Sequence, residues 1–168
     1  NSIATIKPAV KILRKYKIKF ALMHCTNIYP TPPELVRLNC ITTLQENFPD
    51  AVIGLSDHTT SNYSSYGAIA LGAKIIERHF VDDIKTKGPD IPCSMSPSEL
   101  KNLITGSKII FNASKLQDKN PLKKEQKTID FAFASVVSIK SIHSGEKLTK
   151  KNIWVKRPGK GDFSAGLF

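Results

Sequence analysis

Two histidine-bearing segments, joined by a single helix-length stretch, constrain this chain more than any other feature. Gly54-Leu55-Ser56-Asp57-His58-Thr59 closes the apolar run Ala51-Val52-Ile53. Glu77-Arg78-His79-Phe80 closes Ala73-Lys74-Ile75-Ile76. Short apolar runs bounded by turn or helix signals read as buried strands. The residues between them, Thr60 to Gly72, read as one helix. The order strand, helix, strand is that of a parallel α/β unit. It delivers one histidine to the carboxyl end of each strand, where ligands and chemistry sit in parallel sheets and barrels.

The same alternation extends both ways. Ser2 is placed to cap a helix over Ile3 to Lys15, with Pro8 expected to end or kink its first turn. Phe20-Ala21-Leu22-Met23 reads as a strand. It runs into the polar, proline-rich loop His24-Cys25-Thr26-Asn27-Ile28-Tyr29-Pro30-Thr31. Pro32-Pro33-Glu34 should then open a helix reaching Asn47, because proline suits a first helical turn. After His79 comes a long loop containing Gly88-Pro89-Asp90. Ser96-Pro97-Ser98-Glu99 follows as a helix start, with serine at the cap and proline behind it. Three strand–helix units follow the first helix, and three strands cannot close a barrel that takes about eight. Residues 114–128 turn to Lys, Gln, Asn and Asp, the composition of an exposed linker. Phe131 to Ile139 and Ile153-Trp154-Val155 then read as strands of a second, mostly β unit.

Composition bounds the class. The 168 residues are 40% hydrophobic and 23% charged, as in globular proteins. No apolar run approaches the ~20 residues of a membrane span. The three cysteines, Cys25, Cys40 and Cys93, fit reduced thiols in a cytoplasmic protein better than a disulfide framework. The net charge of +11 is spread over helix surfaces and the linker. With no arginine-rich, aromatic-interleaved stretch, it fits anionic small substrates better than nucleic acid. The chain opens directly into a helix pattern without methionine, so it is expected to be a segment of a longer protein.

Among the candidate residues, His58 and His79 are either metal ligands or hydrogen-bonded rim histidines; two imidazoles at one rim suit a divalent ion. Water and substrate oxygens would complete the shell around Mg²⁺ or Mn²⁺. Asp57 and Glu77 are placed to orient an imidazole or a substrate hydroxyl, with an ion pair as the alternative for Glu77. Asn27, Ser56 and Thr26 suit phosphate or carboxylate oxygens, or else cap turns. Tyr29 is a substrate contact or a packing aromatic, and Asp90 a site or turn residue in a long loop. Arg157 is an anion clamp or a solvated charge. His24 and His143 read as structural, and no motif supports Cys25 as a nucleophile.

Six ordered motifs carry a resemblance that covers nearly the whole chain. His24 to Pro32, Gly54 to Thr59, Glu77 to Phe80, Gly88-Pro89-Asp90, Phe131-Ala132-Phe133-Ala134-Ser135 and Trp154 to Gly159 follow one another as in the bacterial N-acetylneuraminate (sialic acid) synthase family. The resemblance implies an α/β fold. Residues 1–115 would be the C-terminal portion of a (β/α)8 TIM barrel, 116–130 a linker, and 131–168 the start of a small antifreeze-like (SAF) domain. It implies a domain-swapped homodimer, and a reaction that condenses phosphoenolpyruvate with N-acetylmannosamine and water to give N-acetylneuraminate and phosphate. Legionaminate and pseudaminate synthases share much of the pattern, and a non-catalytic carbohydrate-binding barrel is the alternative of another class. By motif, His58 and His79 resemble the ligands of Mn²⁺ or Mg²⁺, and Asn27 and Ser56 contacts to phosphoenolpyruvate. Tyr29 and Asp90 resemble contacts to the sugar. Glu77 would order the reacting centre, Arg157 would bind the N-acetyl oxygen from the partner's cap, and Phe131 would lie near it.

Overall fold

The computed structural model describes residues 2–116 and 118–168, which divide into two compact units, Asn1–Gln117 and Asp118–Phe168. The first is α/β. A helix α1 (Ile3–Lys15) precedes three parallel strands, β1 (Ala21–Cys25), β2 (Val52–Asp57) and β3 (Ile75–Arg78), in the spatial order β1-β2-β3. Helix α2 (Cys40–Asn47) connects β1 to β2, α3 (Tyr63–Ala70) connects β2 to β3, and α4 (Pro97–Ala113) follows. Register pairs Cys25 with Ser56 and Ser56 with Glu77, so the three carboxyl ends are level. A single parallel bridge, Phe80 to Met95, continues the sheet beyond β3.

One face of the sheet is covered by helices. Ile53 and Leu55 of β2 pack with Val10, Val36, Ile41, Leu44, Phe48 and Ala68. Each such large side chain contributes about 1.5–3 kcal/mol on burial. The opposite face is open, with Val52 and Ile75 more than a third exposed. Gly54 lies on that face, and a β-carbon there would meet the Ile75 carbonyl oxygen at 2.6 Å.

Local signals account for most element boundaries. Ser2 accepts a hydrogen bond from the Thr5 amide, and α1 begins where the sequence places it. The helix continues through Pro8, whose lost bond leaves the carbonyl of exposed Ala4 to water. Ser96 and Glu99 close a full capping box at the start of α4. The helix expected from Pro33 to Asn47 is interrupted. Pro33–Leu35 makes a single 3-10 turn, Arg37 adopts φ 55°, and α2 starts only at Cys40. The carbonyl of Val36 is turned to the buried ring of His24, 2.7 Å from Nε2, which removes it from a helical ladder. Likewise α3 begins at Tyr63 rather than Thr60, because side chains of β2 and β3 bind the groups of 59–62.

The second unit holds an antiparallel pair, β4 (Ser135–Ser138) with β5 (Ile153–Lys156). Residues expected as linker and early strand instead form a 3-10 turn at Lys123–Glu125 and helix α5 (Gln126–Ala132), so Phe131 is helical. Glu125 ties back to the amide of Leu122 and starts that turn. Among the described residues, no helix is long and apolar enough to cross a membrane.

Candidate active site

Strand alternation decides which side chains reach the open face. Cys25, Ser56 and Glu77 are register partners there, and His58 and His79 continue the same parity past the ends of β2 and β3. The two imidazole centroids are 5.3 Å apart, inclined at 67°. Tyr29, from the loop after β1, stacks on His58 with centroids 4.1 Å apart and meets His79 edge-on at 5.8 Å. Three rings from three strand ends therefore form one aromatic cluster at the rim.

His58 is 5% exposed and firmly held. Its Nδ1 lies 3.0 Å from the carbonyl oxygen of Thr26. A carbonyl only accepts, so Nδ1 is the donor of this bond, and in the neutral ring that leaves the lone pair on Nε2. The amide of Thr31 donates to the His58 carbonyl at 2.9 Å, while the Thr31 hydroxyl donates to the carbonyls of Ile28 and Thr26. The loop carrying Asn27 and Tyr29 is thus folded onto His58 by Thr31, a buried residue that no sequence motif singled out. The Thr26 hydroxyl donates to Leu35, which is the turn-capping alternative rather than an anion contact. The Cys25 thiol donates to Asn27 Oδ1 at 3.1 Å and lies 3.9 Å from His58 Nδ1.

His79 is more open. Its Nδ1 is 3.7 Å from a carboxylate oxygen of Asp90, beyond a hydrogen bond. Asp90 is held through its own carbonyl, which accepts from the Ser94 hydroxyl at 2.8 Å and the Cys93 thiol at 3.2 Å. Partial desolvation pushes the Tyr29 phenol pKa up, and the acidic groups of Cys25, Asp90, Cys93 and Glu77 push it further. Glu77 is exposed on the open face beside Ser56.

The structure thus gathers Tyr29, His58, His79 and Asp90 at one rim, with Asn27, Ser56 and Glu77 on the same side of the strands. Asp57 departs from the expectation that it orients an imidazole. It points to the helix-covered face and binds the Thr59 amide and the Ser65 hydroxyl. Phe131 and Arg157 belong to the second unit, where both are exposed. There the buried Ser135 hydroxyl accepts from the Gly161 amide at 2.8 Å and donates to the Pro158 carbonyl at 3.2 Å, fixing the turn that follows Arg157.

Among the described residues, no three His, Cys, Asp or Glu side chains converge as a ligand set. Two imidazoles do. Rings sharing one ion at about 2.1 Å per nitrogen would have centroids roughly 4.6–5.3 Å apart for cis to tetrahedral angles, which matches their spacing. With the free Nε2 of His58, the donor chemistry fits a divalent ion that completes its shell with water and substrate oxygens.

The chain has extended likeness to known proteins. A profile of the NeuB family matches residues 1–119. The chain is 37% identical over 163 residues to the N,N'-diacetyllegionaminic acid synthase of Campylobacter jejuni, covering 95% of this chain and 48% of that protein. It is 36% identical over 156 residues to human N-acetylneuraminate-9-phosphate synthase, covering 93% and 44%. The crystal structure of an N-acetylneuraminic acid (sialic acid) synthetase from Leptospira borgpetersenii in complex with citrate matches with a TM-score of 0.71 and 34% identity, over 77% of this chain and 45% of that one. The chain therefore spans about half the length of the curated relatives it matches.

Proposed function

The chain belongs to the NeuB family, and from that premise we propose that the whole protein condenses phosphoenolpyruvate with N-acetylmannosamine and water, giving N-acetylneuraminate and phosphate. The observation that carries this reading is the pair His58 and His79, 5.3 Å apart at the carboxyl rim of a parallel sheet. In this reading residues 1–117 supply the last strands of a (β/α)8 barrel, and residues 118–168 begin an antifreeze-like domain that caps the barrel of a second copy.

The chemistry follows from the rim. His58 and His79 would hold Mn²⁺ or Mg²⁺, which when bound would polarise the aldehyde of the open-chain sugar as a Lewis acid. Asn27, two residues beyond the end of β1, and Ser56, near the end of β2, bind phosphoenolpyruvate. Tyr29 and Asp90 position the sugar over the imidazoles, and Arg157 of the second copy binds its N-acetyl oxygen, with Phe131 beside it. A bond forms between C3 of phosphoenolpyruvate and the aldehyde carbon, whose oxygen takes up a proton. Water adds at C2, and the C2–O bond breaks to release phosphate with the bridging oxygen. Glu77 is exposed on the open face and is the register partner of Ser56. It orders the phosphoenolpyruvate and the incoming water at the reacting centre.

A second reading keeps the mechanism and changes the sugar, because the Campylobacter relative is named a diacetyllegionaminic acid synthase. Mass analysis of products decides between them. The whole protein is incubated with phosphoenolpyruvate, Mn²⁺ and, in separate tubes, N-acetylmannosamine or the legionaminate and pseudaminate precursor sugars. Product only from N-acetylmannosamine supports the first reading. Product only from another sugar replaces it, and no product from any sugar overturns both.

A further inference from the structure

Asp57 and Arg78 stand opposite each other in the register of β2 and β3, each one residue before a rim histidine. Alternation along a strand turns neighbours to opposite faces. The imidazoles therefore emerge on the open face while the charged pair lies behind them, 0% and 2% exposed at the side chain. The bonds of this pair converge on one segment. Asp57 accepts from the Thr59 amide at 2.9 Å and from the Ser65 hydroxyl at 2.7 Å. Arg78 donates through Nη2 to the Thr59 carbonyl and through Nη1 to Asn62 Oδ1. Its Nε is buried without a hydrogen-bond partner, 3.8 Å from the Asp57 carboxylate.

This is not the geometry of an ion pair optimised for stability. A buried pair roughly breaks even against apolar side chains of the same volume, and an unsatisfied N–H makes it worse. The guanidinium gives up the bidentate grip on Asp57 in order to reach the loop that leaves His58. We propose that Asp57 and Arg78 are positioning residues, which lock the end of β3 to the segment after β2 and so fix the spacing of His58 and His79 for a divalent ion. The inference rests on the metal reading of those two histidines.

The test is Mn²⁺ binding to the whole protein, followed by loss of the free-ion electron paramagnetic resonance signal, with thermal melting in parallel. Arg78→Lys keeps the charge but cannot span Thr59 and Asn62. Groups that orient metal ligands typically affect affinity by about ten- to hundred-fold, and Arg78→Lys is expected to weaken Mn²⁺ binding by that range while the protein still melts cooperatively. Ser65→Ala removes a single bond to Asp57 and is expected to weaken binding about three-fold. It decides the question if Arg78→Lys does not fold. Unchanged Mn²⁺ affinity in the folded variants overturns the positioning role alone. Absence of Mn²⁺ binding by the unsubstituted protein, or binding that survives His58→Ala and His79→Ala together, overturns the metal reading and this inference with it.

Discussion

Gly54→Ala should disrupt the packing of β3 against β2. The position is central in β2, and the new β-carbon would lie 2.6 Å from the Ile75 carbonyl oxygen and 2.9 Å from the Ile75 β-carbon, besides meeting the Met23 sulfur. The sulfur can swing away, but the Ile75 contacts belong to the neighbouring strand. Relief requires β3 to retreat from β2 by several tenths of an ångström. The bond from the Lys74 amide to the Ile53 carbonyl, now 2.8 Å, would stretch with it. Overpacking of this kind costs about 1–3 kcal/mol, and a weakened ladder bond adds about 1 kcal/mol. Alanine returns less than about 1 kcal/mol by restricting the unfolded chain. The net expectation is a loss of about 2 kcal/mol, read as a fall of roughly 1–2 M in the urea midpoint. Gly88→Ala is the control, since its β-carbon would sit 3.5 Å from Ile91 in ordinary contact. If Gly54→Ala unfolds within about 0.5 kcal/mol of the unsubstituted protein, the packing between β2 and β3 is not as described.

Other consequences are open to measurement. Hydrogen bonds from the Ser96 amide and hydroxyl hold the Glu99 carboxyl below the usual glutamate range. A depressed carboxyl stabilises the fold above its unfolded-state pKa and loses that contribution as pH falls through the folded value. Glu99→Gln should therefore lower stability by about 0.5 kcal/mol at neutral pH, and denaturant titrations should show the gap closing in acid; a gap independent of pH would refute the assignment. In the second unit, buried Asn152 accepts from the Thr149 amide and donates to the Glu146 carboxylate and the Lys147 carbonyl. Asn152→Ala should cost about 2 kcal/mol in melting experiments, and a neutral result would mean the turn does not depend on it. Under the proposed function, Arg157→Ala should raise KM for the sugar more than for phosphoenolpyruvate, and equal effects on both would argue against an N-acetyl clamp.

What the sequence disclosed depended on the range of the forces involved. Ser2, and Ser96 with Pro97 and Glu99, announce helix starts through bonds made within three residues, and both helices begin where these residues place them. The alternation of β1, β2 and β3 with helices was equally readable from the short apolar runs. The break in the second helix was not, because it depends on the ring of His24 reaching the Val36 carbonyl twelve positions away. The role of Asp57 is not legible locally for a related reason. Adjacency to His58 suggested that the two cooperate, whereas alternation puts them on opposite faces and gives Asp57 to Thr59, Ser65 and Arg78. The polar composition of 114–128 hid a helix start at Gln126, since exposed helical turns carry the same residues as linkers. At the site, the two histidines were visible from their strand-end positions. The stacking of Tyr29 on His58 and the bond from the Thr31 amide to the His58 carbonyl are tertiary contacts with no local signature.

The measurement closest to the central claim is phosphate release from phosphoenolpyruvate by the whole protein, with Mn²⁺ and N-acetylmannosamine, compared with His79→Ala. The account predicts release that requires the sugar and falls about a hundred- to a thousandfold in the variant, as loss of a transition-state electrostatic contact does, while thermal melting is preserved. Release that does not need the sugar, or a folded His79→Ala variant with near-normal turnover at saturating Mn²⁺, would contradict it.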